Sequence, residues 1–352
     1  MRVLHLIPTL KYGGAERQAR QLLLALNEKG IDVALFSRVD AADATGLRAG
    51  GITVRPIHCK SNYHPQLLSG LATFVRDWKP HVIQTWMPMM DILGGLVAST
   101  LGIPFVISER SAAANYSERG KALARKFLGR GAAAIVANSP AGMDYWKGHP
   151  RLYLIPNGLD LDAIRVAPPG HPLHRPLIVC LARLGPEKNL FQLIQSILIV
   201  RNRFPNVELK ILGEGPERAA LEKMIVKYDL QANVKLAGYR TDAWSWLKTA
   251  DIAALVSHFE GSPNAALEAA ATGCPMVLSD IPSHRWAFSS EEAIFVDKDR
   301  VEAIAAGILE GLTDRARLKR LSAAANSRVA KLSIATSTDC YLELYYDAIK
   351  NH

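Results

Sequence analysis

No apolar run in this chain approaches the about 20 consecutive residues that a membrane-spanning helix needs. The opening Met1-Arg2-Val3-Leu4-His5-Leu6-Ile7-Pro8 is too short for a secretory leader core and has no small-residue cleavage site. Cysteine is scarce: Cys59, Cys180, Cys274 and Cys340 show no pairing rhythm, no Cys-x-x-Cys and no histidine at zinc spacing. Free thiols in a reducing compartment follow, and with them the expectation of a cytoplasmic chain. Neither the Gly-x-Gly-x-x-Gly dinucleotide fingerprint nor the Gly-x-x-x-x-Gly-Lys-Ser/Thr phosphate loop occurs. Glycine (25) and proline (19) follow no period, which excludes collagen-like and low-complexity architectures. What is present is an ordinary globular composition, 49% hydrophobic and 21% charged over 352 residues, a length that favours two domains.

The net charge is +9, and it is unevenly spread. Through Val166 there are 20 Lys and Arg against 12 Asp and Glu, a net of +8; from Ala167 on, 22 face 21. An acidic substrate, an anionic membrane surface or a merely solvated surplus each fit this bias. Nucleic acid is not expected, because no recognised binding motif and no interleaving of aromatic with basic residues is present. The bias is densest in Arg110, Arg119, Lys121, Arg125, Lys126 and Arg130, with Glu109 and Glu118 the acids among them. Read as a helix, this stretch sets Leu123, Ala124, Phe127 and Leu128 on one side and Lys121, Arg125, Lys126 and Arg130 mostly opposite. Such a helix lies on anionic lipid, or simply covers a sheet.

Short β-rich apolar runs alternate with helical stretches along the whole chain. They fall at Val3–Ile7, Val33–Phe36, Thr53–Ile57, Val82–Thr85, Phe105–Ser108, Ala134–Asn138 and Tyr153–Ile155, then at Leu177–Ala182, Glu208–Leu212, Val234–Leu236, Ile252–Val256, Met276–Ser279 and Ile294–Val296. Runs this continuous read as strands covered on both faces. Between the first two, Glu16–Lys29 places Ala19, Leu22, Leu23 and Leu26 on one helical face and stops at Gly30. The alternation predicts α/β architecture with two doubly wound, Rossmann-like domains facing a cleft. The boundary is expected in Ala167-Pro168-Pro169-Gly170-His171-Pro172, after the turn Pro156-Asn157-Gly158. The domains are then 1–166 and 167–335.

Three constellations could carry chemistry. Gly13-Gly14-Ala15-Glu16 follows the first strand and opens a helix, where backbone approaches a ligand closely and the helix start attracts an anion; a plain turn reads the same way. Arg183 and Lys188 sit in Arg183-Leu184-Gly185-Pro186-Glu187-Lys188-Asn189 after a strand end, a place where two cations grip a diphosphate or belong to a solvated loop. The third runs from Phe259 through Glu260, Ser262, Pro263, Asn264 and Glu268 to Gly273. Ser262 is the expected N-cap, Pro263 the first helical residue and Gly273 the stop. Free N–H groups at that helix start suit a phosphate, and the flanking carboxylates of Glu260 and Glu268 suit hydroxyls.

Taken with the Pro156-Asn157-Gly158 turn, Ala182-Arg183-Leu184 to Lys188-Asn189, and Leu212-Gly213-Glu214-Gly215-Pro216, the ordered set resembles the retaining glycosyltransferases of family 4, which have the GT-B fold. Glu260 and Glu268 match the family's Glu-x7-Glu element. The resemblance implies transfer of a hexosyl or N-acetylhexosaminyl group from a nucleotide diphosphate sugar, usually a UDP-sugar, to a hydroxyl of a glycan or lipid-linked acceptor. It implies retained configuration, and polysaccharide or lipopolysaccharide biosynthesis at the inner membrane face as the setting. Arg183 and Lys188 would then neutralise the departing diphosphate, so that no cofactor and no bound metal is required. Glu268 would hold ribose hydroxyls and Glu260 those of the donor sugar. Ser262 and the backbone at Asn264, Ala265 and Leu267 would meet sugar and phosphate oxygens. Gly213 and the Gly238-Tyr239-Arg240 loop would border the nucleotide, and Gly13 and Gly14 would close on the diphosphate. The 1–166 domain would take the acceptor, with a last helix, 336–352, packing back onto it, while 167–335 would bind the donor.

One departure stands out. Many members carry a histidine after the strand matching Phe105–Ser108, whereas this chain reads Ser108-Glu109-Arg110-Ser111. Glu109 and Arg110 are the candidates to replace it at sugar or acceptor. Trp86, at the end of Gln84-Thr85-Trp86, suits either a stacking platform for a sugar ring or a buried packing role. Two other readings share the architecture: a UDP-GlcNAc 2-epimerase-like enzyme, separable by incubation without acceptor, and a non-catalytic binding subunit, separable by nucleotide-sugar binding.

Overall fold

The structure is a computed structural model describing residues 1–10, 13–38, 44–59, 64–110, 119–170 and 175–352. Ser111, Glu118 and the His171-Pro172 end of the expected connector lie outside the described residues. Two compact units emerge: Met1–Gly158 together with Leu332–His352, and Leu159–Lys331.

In the first unit the apolar runs form β1 (Arg2–Ile7), β2 (Asp32–Ser37), β3 (Thr53–Pro56), β4 (Val82–Trp86), β5 (Phe105–Glu109), β6 (Ala134–Ala137) and β7 (Leu152–Leu154). They make one parallel sheet in the order β3-β2-β1-β4-β5-β6-β7. Alternation along β1 splits the core in two. Val3 and Ile7 pack with Leu22, Leu23 and Leu26 of the helix Gly14–Glu28, while Leu4 and Leu6 pack on the other face with Leu67, Leu71 and Met90. That first helix ends where Gly30 takes a φ of 76°, the left-handed stop glycine provides. The last helix, Ile334–Lys350, is N-capped by Ser333, whose side chain accepts from the Thr336 N–H. It adds Tyr341, Leu344, Tyr345 and Ala348 to the core on the β1 Val3 side.

The second unit holds β8 (Leu177–Leu181), β9 (Glu208–Leu212), β10 (Val234–Gly238), β11 (Ile252–Leu255), β12 (Met276–Ser279) and β13 (Ile294–Val296), all parallel in the order β10-β9-β8-β11-β12-β13. The unit begins at Leu159, earlier than the proline-rich segment suggests. Hydrogen bonds explain why: Lys248 Nζ donates to the carbonyls of Arg165 and Ala167, and the Gly170 N–H donates to the Ser245 carbonyl, so the short helix Leu161–Val166 and the prolines behind it belong with the second sheet.

Strand order reverses beside the first strand of each sheet, between β1 and β4 and between β8 and β11. A doubly wound sheet opens a crevice at the carboxyl ends of such a strand pair.

Candidate functional site

At the second reversal, β8 runs out into Ala182 and Arg183, and β11 into Ser257 and Glu260. A one-turn 3-10 segment, Pro186–Lys188, aims Lys188 across the gap, and its Nζ lies 2.6 Å from Glu260 Oε1. The same oxygen accepts from Ser257 Oγ at 2.7 Å. The two loops are also stitched by backbone, the His258 N–H donating to the Glu187 carbonyl at 2.8 Å. Lys188, Glu260 and Ser257 line a small cavity together with Ala265, Cys180 and His284. Burial pushes the Cys180 thiol up to about 12, so it lines the cavity as an un-ionised group.

His284 is a member of this site that sequence reasoning missed. It is buried, and burial lowers its pKa, so the ring is neutral. Nδ1 lies 3.0 Å from the Ser279 carbonyl, which can only accept; the proton is on Nδ1 and the lone pair on Nε2. Ser279 in turn donates to the Ser257 carbonyl at 2.8 Å. A hydrogen-bonded line thus runs from the end of β12 to the carboxylate of Glu260. Its sequence signal, a histidine just past the Pro282 that opens a helix after a buried strand, is too common to single out.

Arg183 is 61% exposed and folds onto Glu187 of the Lys188 turn, with Nη2 3.0 Å from Oε1. Glu268 is almost fully buried on the helix Asn264–Ala271, and Trp244 Nε1 donates to its Oε2 at 2.8 Å. Trp244 is another residue the sequence did not flag. The structure thus joins Lys188 to Glu260 directly, and gives Arg183 and Glu268 their own partners on neighbouring elements.

The helix bearing Glu268 starts later than its sequence suggests. Pro263, with ψ 64°, is the N-cap rather than the first helical residue, and the Ser262 carbonyl accepts the Asn264 N–H. Ser262 Oγ is not a cap; it is buried with no hydrogen-bond partner among the described residues. The N–H groups of Asn264 and Leu267, expected to face a ligand, are engaged by the carbonyls of Ser262 and Pro263. Ala265 remains at the cavity, in the first turn of the helix. Gly213 has a backbone reason of its own. Its φ is 149°, and a Cβ there would lie 1.9 Å from the Ala182 carbonyl oxygen, so only glycine lets the β9 end approach the β8 end. Its N–H donates to the Gly238 carbonyl, and Tyr239 follows with a half-exposed ring.

In the first unit, Gly13 is the extended N-cap of the helix Gly14–Glu28 and Gly14 its first residue. The other candidates are corrected. Trp86 is 1% exposed: its Nε1 donates to His5 Nδ1 at 3.1 Å and the Arg110 guanidinium covers its ring at 4.7 Å, so no sugar can stack there. His5 is neutral because burial drives its pKa down to about 3. Glu109 is fully buried and accepts from Arg125 Nη1 at 2.6 Å and Trp146 Nε1 at 3.0 Å. Arg110 ties the β5 end to the Asn157 side chain at 2.6 Å and to the Tyr341 hydroxyl of the last helix. These groups hold the unit together rather than reaching for a sugar. Arg125 leaves the cationic face as well: it is 1% exposed and bridges Asp91 and Glu109, while Lys126 and Arg130 are exposed and Lys121 is partly buried. Among the described residues no helix is long and apolar enough to cross a membrane.

A family model described as glycosyltransferase family 4 matches residues 12–163, and one described as glycosyl transferases group 1 matches residues 165–328. The two leave little of the chain uncovered, and they meet on two doubly wound units of the GT-B kind. The chain belongs to glycosyltransferase family 4. Over 344 residues it is 26% identical to the lipopolysaccharide core biosynthesis glycosyltransferase LpsE of Rhizobium meliloti, covering 95% of this chain and 96% of that one. It is 24% identical over 312 residues to the Escherichia coli UDP-Gal:alpha-D-GlcNAc-diphosphoundecaprenol alpha-1,3-galactosyltransferase, covering 81% and 80%. Among solved structures, Anabaena HepE in complex with UDP and glucose superposes with a TM-score of 0.86 at 17% identity, over 97% of this chain and 98% of that one.

Proposed function

We infer that this glycosyltransferase moves a sugar from a UDP-sugar to a hydroxyl of a glycan or lipid-linked acceptor, with retention of configuration and without a bound metal. The observation that carries the reading is the Lys188–Glu260 pair at the carboxyl ends of β8 and β11, with Glu268 on the helix that follows. The nucleotide choice is supported by the UDP and glucose held in HepE, and the acceptor class by the lipid-linked substrate in the name of the Escherichia coli relative. The lipopolysaccharide core enzyme of Rhizobium meliloti supports a surface-glycan setting.

On this reading the bond from the sugar's anomeric carbon to phosphate oxygen breaks, and its electron pair leaves with the diphosphate. Lys188 and Arg183 meet that added charge, the task a metal ion performs elsewhere. Lys188 turns from Glu260 to phosphate, and Glu260 exchanges its ammonium partner for the hydroxyls of the donor sugar. His284 offers the Nε2 lone pair to another hydroxyl. Glu268, its carboxylate held by Trp244, takes the ribose. Ser262 Oγ and the helix start at Ala265 accept the remaining polar contacts. The acceptor oxygen forms the new bond on the face the diphosphate leaves, and its proton passes to the departing phosphate oxygen.

The test is release of UDP from a panel of UDP-sugars with a lipid-linked acceptor. Lys188→Ala and Glu260→Gln are each expected to slow turnover by about 10²–10³, the loss typical of removing one charge-stabilising group. Wild-type turnover in both variants would defeat the assignment. An epimerised nucleotide sugar formed without acceptor would replace transfer with isomerisation.

A further inference from the structure

Two loops of the second unit meet beside the Lys188–Glu260 pair, and they bring together more acids than cations. Arg183-Leu184-Gly185-Pro186-Glu187 leaves the end of β8, and Glu214-Gly215-Pro216-Glu217 leaves the end of β9. Backbone bonds dock one loop on the other: the Leu184 N–H donates to the Glu214 carbonyl and the Glu217 N–H to the Leu184 carbonyl, each at 3.0 Å. The Glu187 side chain folds back over the same spot, for a Cβ at Gly185 would lie 2.6 Å from its Oε2. Each neighbouring charge but one has a partner. Arg183 gives Nε and Nη2 to Glu187 Oε1, at 3.1 and 3.0 Å. Lys188 belongs to Glu260, and Arg218 is divided between Glu214 and Glu222, each at 3.1 Å. On the loop after β11, His258 donates its backbone N–H to the Glu187 carbonyl while its ring stands 4.0 Å from Asp299. Glu217 is left over. It makes no ion pair among the described residues, and its Oε2 is buried without a hydrogen-bond partner among them.

Burial, with the Glu187 charge added to it, holds the Glu217 carboxyl above the ordinary glutamate value. In the free chain the Arg183 guanidinium offsets Glu187 and so limits that repulsion. On the proposed function Arg183 turns to the diphosphate. Glu187 then loses its cation, the diphosphate adds negative charge nearby, and Glu217 faces both. Two carboxylates in one place do not readily stay ionised together, and a proton from solvent relieves the repulsion. A group whose pKa rises on binding strengthens binding at acid pH and loses that effect as pH climbs through the raised value.

We propose that Glu187 and Glu217 are positioning residues for Arg183: Glu187 holds the guanidinium in the free chain, and Glu217 takes up a proton when Arg183 turns to the diphosphate, so that donor binding is linked to proton uptake. The proposal rests on the donor reading of this site. The test is calorimetric titration of the full chain with UDP-glucose, whose phosphates are diesters and stay ionised, in buffers of differing ionisation enthalpy. The slope of the binding heat against that enthalpy counts the protons exchanged. The wild type is expected to take up a fraction of one proton. It should bind about three- to tenfold more tightly at about pH 5.5 than at about pH 8, tenfold being one pKa unit on one carboxyl. Glu217→Gln, nearly the same in shape, should bind without proton uptake and lose most of that pH dependence; other titrating groups of the site are common to both proteins. Glu187→Gln should release Arg183, tightening binding at about pH 8 by about threefold and lowering the uptake. UDP is the second probe: its terminal phosphate titrates by itself, so the wild type is read against Glu217→Gln, where that contribution is the same. Binding of either probe with no difference in proton uptake between wild type and Glu217→Gln overturns the proposal and leaves the donor reading standing. A wild type that binds neither UDP-glucose nor UDP overturns both.

Discussion

Glu260 spends the free state paired with Lys188, and Glu268 spends it on the indole of Trp244. The difference has a kinetic consequence. On the proposed reading the ammonium leaves for phosphate and acts when charge develops, whereas the indole stays put and only aims a carboxylate. Trp244→Phe keeps an aromatic ring in place, though a smaller one, and removes the donor; it is expected to raise the donor KM about tenfold while changing kcat less, the signature of binding shared by ground and transition states. Initial-rate measurements over donor concentration read this directly. Asp91 gives a second prediction. Burial, with Glu109 adding to it, holds this carboxyl up at about 6 against the opposition of Arg125 and Thr85. The unfolded chain releases the proton near the ordinary carboxylate value, so between that value and about 6 the folded chain holds a proton the unfolded chain lacks. Stability from this group is therefore fully present at the acid end and is lost as pH rises through about 6, by ~3 kcal/mol. Asp91→Asn lacks this dependence, and urea unfolding of the two proteins between pH 4 and 7 should show the wild type gaining on the variant as pH falls. His5, neutral by burial, acts in the opposite sense in both proteins and cancels from the comparison.

Elements differ in how far local sequence dictates them. Every apolar run read as a strand is one, because a strand covered on both faces needs continuous Val, Ile, Leu and Ala, a signal carried within a few residues. Lys188 and Glu260 were legible as candidates from loop and glycine context, and their contact is set by which strands are neighbours. The helix Arg119–Gly129 shows where such reading ends. Its periodicity fits either rotation, and what decides is a pair of carboxylates at Asp91 and Glu109, on the helix Pro88–Leu101 and on β5. No window of local sequence contains that information. Trp86, Glu109 and Arg110 failed as sugar contacts for the same reason: their partners His5, Arg125, Asn157 and Tyr341 come from distant parts of the chain. The last helix supplies an element-scale test. Tyr345 is fully buried and its hydroxyl has no hydrogen-bond partner among the described residues. Tyr345→Ala is expected to cost about 3–5 kcal/mol. Tyr345→Phe should be near neutral, because it removes a buried donor with nothing to donate to. Denaturant titration of both variants separates ring packing from hydroxyl chemistry.

At the scale of the whole molecule, one chain carries two sheets with the same reversal of strand order, yet they differ in charge. Through Val166 the excess is +8, against +1 beyond it. The half with the Lys188–Glu260 site is close to neutral overall, so the attraction for a diphosphate that the proposed function calls for is local, from side chains at two strand ends. The field of the basic half reaches further, and it weakens as salt shortens the screening length.

The first unit is not contiguous in the chain: Leu159–Lys331 is spliced into it, and Leu332–His352 completes it. Outgoing and returning chain meet closely there, for a Cβ at Gly158 would sit 2.7 Å from the Cα of Ile334. A ribosome therefore delivers the inserted unit whole while the one begun earlier still waits for Tyr341, Leu344 and Tyr345. Emergence order and maturation order are reversed. Chains ending at Lys331, freed from the ribosome and treated briefly with protease, should yield a resistant piece from the later-made half and digest the earlier-made one, whereas chains that include Leu332–His352 should protect both.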